Sequence, residues 1–325
     1  MFDSSEQVHF ALSEAGYLTD RVTATAVYLA DKLRKPLLLE GPAGSGKTEL
    51  SYAVARAGGT RVERLQCYEG ITEAKAIGKF DESLQRLYVE MAARSPGTTH
   101  WAELGEQLSA LEFFAAGPLL KALLSPSPCV LLIDELDKVD HAFEATLLEV
   151  LSVWQLSIPR LGTISASSIP FTVLTSNEER RLGDPLRRRS LYLRIEHPTA
   201  EREGEIVARR TPEAGAATHR LIAGFAKALR AYSLEKPPSV SEMIDIALSL
   251  QHLGIEEVTC EHRDVLLPLL AKTERDRQRL LLRDGFASVV FAARHYAGAM
   301  PGGEVEALIA EANAAGGNLQ QESAA

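Results

Sequence analysis

Cysteine is scarce. The three in this chain of 325 residues, Cys67, Cys129 and Cys260, form neither a CxxC pair nor a Cys/His zinc pattern. That points away from a disulfide scaffold or a structural metal and fits a reducing compartment. Long blocks of like charge are also missing, and 35 basic against 44 acidic residues leave a net charge of −9. A general nucleic-acid binder held by a basic face is therefore disfavoured, although an internal cationic channel stays open. The longest apolar runs, such as VLLPLLA at 265–271, fall well short of the roughly 20 residues that span a bilayer. At the N-terminus, MFDSSEQVHF carries acid where a signal peptide needs positive charge. No internal repeat and no coiled-coil heptad is visible. These absences predict a soluble cytoplasmic protein without a membrane span. What is present is apolar content of 46%, enough to give cores to about two domains of about 150 residues each.

The first 200 residues read as an α/β domain. Residues 19–34, TDRVTATAVYLADKLR, repeat apolar positions at helical spacing and open on Thr19 and Asp20, both good N-terminal residues. PLLLE at 36–40 is a short apolar run stopped by Gly41 and followed by a glycine loop and the helical ELSYAVARA. RLQC at 64–67, CVLLI at 129–133 and FTVLTS at 171–176 read as strands buried on both faces, and SLYLRI at 190–195 as a fifth. Helical stretches between them predict a parallel sheet covered by helices. Residues 68–92 lengthen the connection after the second strand, with Gly78 and a turn-like KFDES, and 153–168 read as a hairpin joined around RLGT. After Pro198 the strand-like runs largely stop. Amphipathic segments then predict a small all-helical domain over 199–314, broken by Pro237 and Pro238, with a frayed tail at 315–325.

The most specific chemical signal is GPAGSGKT at 41–48, which fits G-x-x-x-x-G-K-[ST] with a strand before it and a helix after it. Gly41, Gly44 and Gly46 let backbone N–H groups turn inward around phosphates, with the positive end of the next helix aimed at them. Lys47 can reach the terminal phosphates, and Thr48 offers a hydroxyl to Mg²⁺. The candidate ATP-binding set is thus Gly41, Pro42, Ala43, Gly44, Ser45, Gly46, Lys47, Thr48 and Glu49, completed by Asp134. CVLLIDE at 129–135 ends an apolar strand in two carboxylates. Asp134 can hold Mg²⁺ through water, and Glu135 can polarise an attacking water. Alone, such a pair is more often a helix cap or a solvated edge; a phosphate loop upstream reverses that balance. Asn177, in TSN at 175–177, would stand beside the γ-phosphate if its strand lies next to CVLLI, or else it caps a helix. LRRRS at 186–190 is either a solvated face or the source of a planar cation for a neighbouring subunit's γ-phosphate.

Taken in order, GPAGSGKT, LLIDELDK, LTSN and LRRRSLYLRIEHP followed by a helical region resemble the AAA+ ATPases of the MoxR type. LQCYEGITEAKA, the segment from LLIDE to GTI and TSNEERRLGDPLRRRSLYLRI look like the subgroup encoded with carbon monoxide dehydrogenase and related molybdenum hydroxylases. The likeness covers about residues 14–212 strongly and the rest loosely. It implies a ring, usually hexameric, with ATP between subunits, Asp134 and Glu135 as the Walker B pair, and Asn177 as sensor 1. Arg188 aligns with the family's arginine finger, with Arg187 and Arg189 as rivals. Residues 68–92 would be the helix-2 insertion and 153–168 the pre-sensor-1 hairpin. Partners would be a von Willebrand factor A domain protein and a client metalloenzyme. One departure is PPSVSEMID, which puts Ser241 where many relatives carry the sensor 2 arginine; another is Pro185, where similar sequences often carry alanine. Other readings are an activase for another enzyme or assembly, a nucleotide-gated binding module with little turnover, and a small-molecule kinase.

Overall fold

The computed structural model describes residues 1–94, 101–232, 234–255, 257–282 and 285–299. The expected tail at 315–325, and residues 300–314 of the expected helical domain, lie outside the described residues. Apart from Ala43–Ser45, the chain up to Ile195 is one compact unit and the chain from Glu196 a second.

The first unit runs α1 (Ser5–Glu14), α2 (Arg21–Leu33), β1 (Leu37–Glu40), α3 (Lys47–Ala57) and β2 (Val62–Gln66). An excursion follows, with α4 (Glu73–Ala76), β3 (Gly78–Phe80), α5 (Glu82–Arg94), α6 (Trp101–Leu108), β4 (Phe114–Ala116) and α7 (Pro118–Leu124). The chain returns through β5 (Val130–Asp134), α8 (His141–Val153), the hairpin β6 (Gln155–Ile158) and β7 (Gly162–Ser165), then β8 (Phe171–Ser176), α9 (Asp184–Arg189) and β9 (Leu191–Arg194). Five strands form one parallel sheet in the order β2-β5-β8-β1-β9. Crossovers between parallel strands need helices, and these cover both faces.

Alternation along the strands decides which core each side chain joins. Leu37, Leu39, Val130, Leu132 and Val173 pack with Val8, Val27, Leu50 and Val54 from α1, α2 and α3. The intervening Leu38, Leu131, Ile133 and Leu174 pack on the other face with Leu119 of α7 and Phe143 and Leu147 of α8. Every residue of β1, β5 and β8 is buried, which explains their largely apolar sequences.

Two expectations change. RLQC was expected to be buried on both faces, but β2 is an edge strand starting at Val62, and Leu65 is its one buried residue. Three of its five residues, Glu63, Arg64 and Gln66, are polar, so an apolar-run criterion catches only its end. The turn expected at KFDES is instead the strand β3 followed by Asp81, whose carboxylate accepts from the backbone N–H groups of Ser83 and Leu84 at 3.0 Å and starts α5. β3 pairs antiparallel with β4, far along the chain.

In the second unit, α10 (Ala200–Arg210), α11 (Ala216–Ala231), α12 (Val240–His252), α13 (Arg263–Leu270), α14 (Glu274–Leu281) and α15 (Gly285–Arg294) surround a core that includes Phe225, Leu229, Ile246, Leu250, Leu266 and Val289. Pro237 and Pro238 lie between α11 and α12, where a missing N–H costs no helical bond. Ser239 and Glu242 then form a reciprocal cap at the start of α12. No described helix is long and apolar enough to cross a membrane.

Candidate active site

The glycine loop leaves the carboxyl end of β1 and feeds α3. Gly41 has φ +147°, and a Cβ there would lie 2.0 Å from the carbonyl oxygen of Ile195, so only glycine fits this close approach. α3 begins at Lys47, which puts the positive end of its dipole at the loop. Within the loop, Ser45 Oγ is buried without a hydrogen-bond partner among the described residues, a polar atom left over for a ligand. Lys47 is 5% exposed, and its Nζ donates to the carbonyls of Gly41 and Pro42, both at 2.8 Å. Burial lowers its pKa from the ordinary lysine value, against the opposing pull of Asp137, Asp134, Glu178 and Glu135. Glu49 faces away from this chemistry far enough to pair with Arg56 at 2.7 Å on the same helix.

Two strands away, β5 delivers Asp134 to the same end of the sheet. Its carboxylate is nearly fully buried and every polar contact on it is specific: Thr48 Oγ1 donates to Oδ1 at 3.0 Å and Thr175 Oγ1 at 2.5 Å. Arg64 donates to Oδ2 from Nε at 3.1 Å and from Nη2 at 2.6 Å. Thr48 and Asp134 thus supply neighbouring hard-oxygen donors, the kind Mg²⁺ prefers. When bound, that cation neutralises charge on the terminal phosphates; the chain's own task is to hold these two oxygens together.

Glu135 adopts a left-handed backbone with φ +59°, a conformation that costs a non-glycine residue and clusters at functional sites. Its N–H is satisfied by Thr175 Oγ1 at 2.9 Å. The carboxylate is anchored on Oε2, which accepts from Gln66 Nε2 at 2.9 Å and Lys138 Nζ at 2.7 Å. The Glu135 contact raises the Lys138 pKa above its ordinary value.

β8 does lie beside β5, with Leu174 opposite Ile133, so Asn177 emerges at the same end. Its backbone N–H donates to Asp137 Oδ2 at 3.0 Å. The arginine run splits three ways on α9. Arg187 pairs with Glu40 at 2.6 Å and lies over the Tyr192 ring, whereas Arg189 donates to the carbonyl of Pro185 in its own helix at 3.3 Å. Arg188 is exposed, and its side chain makes no hydrogen bond or ion pair among the described residues.

Sequence reasoning overlooked Arg64, Gln66, Lys138, Asp137 and Thr175. The first two were legible in principle, since residues two apart on a strand share a face, and their neighbour strand ends in two acids.

Comparison with known families decides the fold assignment: residues 36–190 match the AAA domain family, dynein-related subfamily. Over that segment the chain is similar to those AAA domains. Its motifs and sheet make it a P-loop AAA+ ATPase fold followed by a helical region. Solved structures similar to the chain include the Thermotoga maritima RuvB Holliday junction branch migration motor, at 17% identity and TM-score 0.47, covering 86% of this chain and 76% of that one. A point mutant of the same RuvB matches at 18% identity and TM-score 0.48, covering 87% and 78%. No curated protein matches the chain.

Proposed function

We propose that this AAA+ domain hydrolyses ATP in a ring of like subunits and uses the cycle to remodel or mature a client metalloenzyme, as a MoxR-type chaperone. The observation that carries ATP hydrolysis is the convergence of the Thr48 and Thr175 hydroxyls on one carboxylate oxygen of Asp134, with Glu135 beside it. In this reading the loop from Gly41 to Thr48 cradles the phosphates, and Thr48 with Asp134 holds Mg²⁺. Glu135 orients the attacking water, Asn177 faces the γ-phosphate, and Arg188 completes the site of the adjoining subunit. Arg188 is favoured over Arg187 and Arg189 because those two are engaged within their own chain. The phrases LQCYEG and LLIDE to GTI support the subgroup that serves molybdenum hydroxylases such as carbon monoxide dehydrogenase, with a von Willebrand factor A domain partner. Producing such a hydroxylase with and without this chain tests the client. Incomplete metal-site assembly in its absence is expected, and full assembly without it contradicts the assignment.

A second reading, a nucleotide-gated binding module with little turnover, is favoured by the anchoring of Glu135 Oε2 by Gln66 and Lys138. Turnover that stays near zero with every client, together with ATP-dependent ring formation, would select it.

A further inference from the structure

Between β8 and α9 runs a short loop, residues 177–183, that joins Asn177 to the helix carrying Arg188. Two buried acids from the segment after β5 hold it. Asp137, 4% exposed, accepts through Oδ2 from the N–H groups of Asn177 and Glu179, both at 3.0 Å. Glu144, 3% exposed in the first turn of α8, holds the far end: its Oε2 accepts from the Gly183 N–H at 2.9 Å, and its Oε1 pairs with Arg180.

The anchoring at Glu144 is tight for physical reasons. Arg180 also donates to the Val139 carbonyl at 2.6 Å, so one guanidinium ties the loop to both the acid and the backbone that starts α8. Gly183 is the residue before α9, and its carbonyl accepts from the N–H groups of Leu186 and Arg187 at 3.1 and 3.2 Å. A Cβ on Gly183 would fall 2.8 Å from Glu144 Oε2, so the carboxylate's approach depends on glycine. Leu182 and Leu186 pack in the same cluster as Phe143 and Leu147 of α8. α9 has only six residues, too few to fix its own orientation; its start is set by Glu144.

Resting on the shared-site reading above, we propose that Glu144, with Arg180, is a positioning residue for Arg188. By clamping the Gly183 end of the loop it aims the arginine that completes the neighbouring subunit's ATP site, and it has no direct part in its own subunit's site. The defect of a Glu144 variant then belongs to the subunit that lends the arginine.

Complementation separates these roles. Glu144→Gln and Arg180→Gln are each mixed with Glu135→Gln and, separately, with Arg188→Ala; ATP turnover is measured, and nucleotide affinity is titrated for each variant alone with a fluorescent ATP analogue. Expected are unchanged affinity, turnover lowered about 10²-fold, the scale of a 1 Å misplacement of a reacting group, recovery with Glu135→Gln, and none with Arg188→Ala. Any other pattern overturns the inference, most directly recovery with Arg188→Ala, which would place Glu144 in its own subunit's chemistry. Should Glu144→Gln fail to fold, Arg180→Gln carries the same comparison. The control, Arg188→Ala mixed with Glu135→Gln, must recover turnover; its failure would sink the shared-site reading itself.

Discussion

β5 and α5 lie in the same compact unit and are stabilised in opposite ways. All five residues of β5 are buried, and the carboxylates at its end are tied to groups on four other segments. In α5 no residue is buried, and Leu84, Leu87 and Met91, spaced to share one face, are 43%, 53% and 62% exposed. The internal strand is positioned by this chain's own contacts over its whole length. Among the described residues, α5 is tethered by Gln85 to the Leu108 carbonyl and by Tyr88 to Gln107 and the Phe113 ring. A position fixed from every side suits chemistry that tolerates little displacement, whereas a helix with exposed apolar residues suits contacts that vary.

The largest effect that sharpens this contrast is catalytic. Arg188→Ala is expected to lower ATP turnover by about 10³-fold with nucleotide affinity unchanged, while Leu87→Ala leaves basal turnover within about twofold, as surface changes away from a site do. A comparable factor separates the cysteines. Cys67, at the end of β2, has its pKa pushed up to about 12, first by burial and then by Asp134, Glu135 and Asp137, and the exposed Cys260 lacks that burial. Because the thiolate is the reacting form, alkylation at pH 8 followed by mass spectrometry should label Cys260 on the order of 10³-fold faster; equal rates would mean the β2 end opens readily.

Stability gives the smaller effects. Leu132→Ala in β5 should cost about 2–5 kcal/mol in urea unfolding, and Leu87→Ala within about 0.5 kcal/mol. Similar losses at the two positions would erase the distinction between strand and helix.

Legibility in the sequence followed the same division. β1, β5 and β8 were readable because burial on both faces favours apolar residues along most of each strand, and the glycine loop because its spacing is imposed by phosphate geometry. β2 was half hidden by Glu63 and Arg64, which pair with Arg61 and Asp134. The β3–β4 pairing was invisible, since neither three-residue strand carries a periodic signal and the partner is far along the chain. In the site, the anchors on Asp134 and Glu135 went unread because they arise from strand order: Arg64 and Gln66 reach the two acids only because β2 pairs with β5. In the arginine run the resemblance favoured Arg188 and left Arg187 and Arg189 as rivals. Only the structure shows Arg187 and Arg189 engaged and Arg188 without a partner among the described residues.

The most direct test of an ATP-hydrolysing site at the end of β5 is the steady-state turnover of Glu135→Gln beside that of the natural protein, with nucleotide affinity measured on both. The account predicts unchanged affinity and a rate lower by about 10²-fold or more, the usual loss when a general base is removed. Equal rates in the two proteins would contradict it.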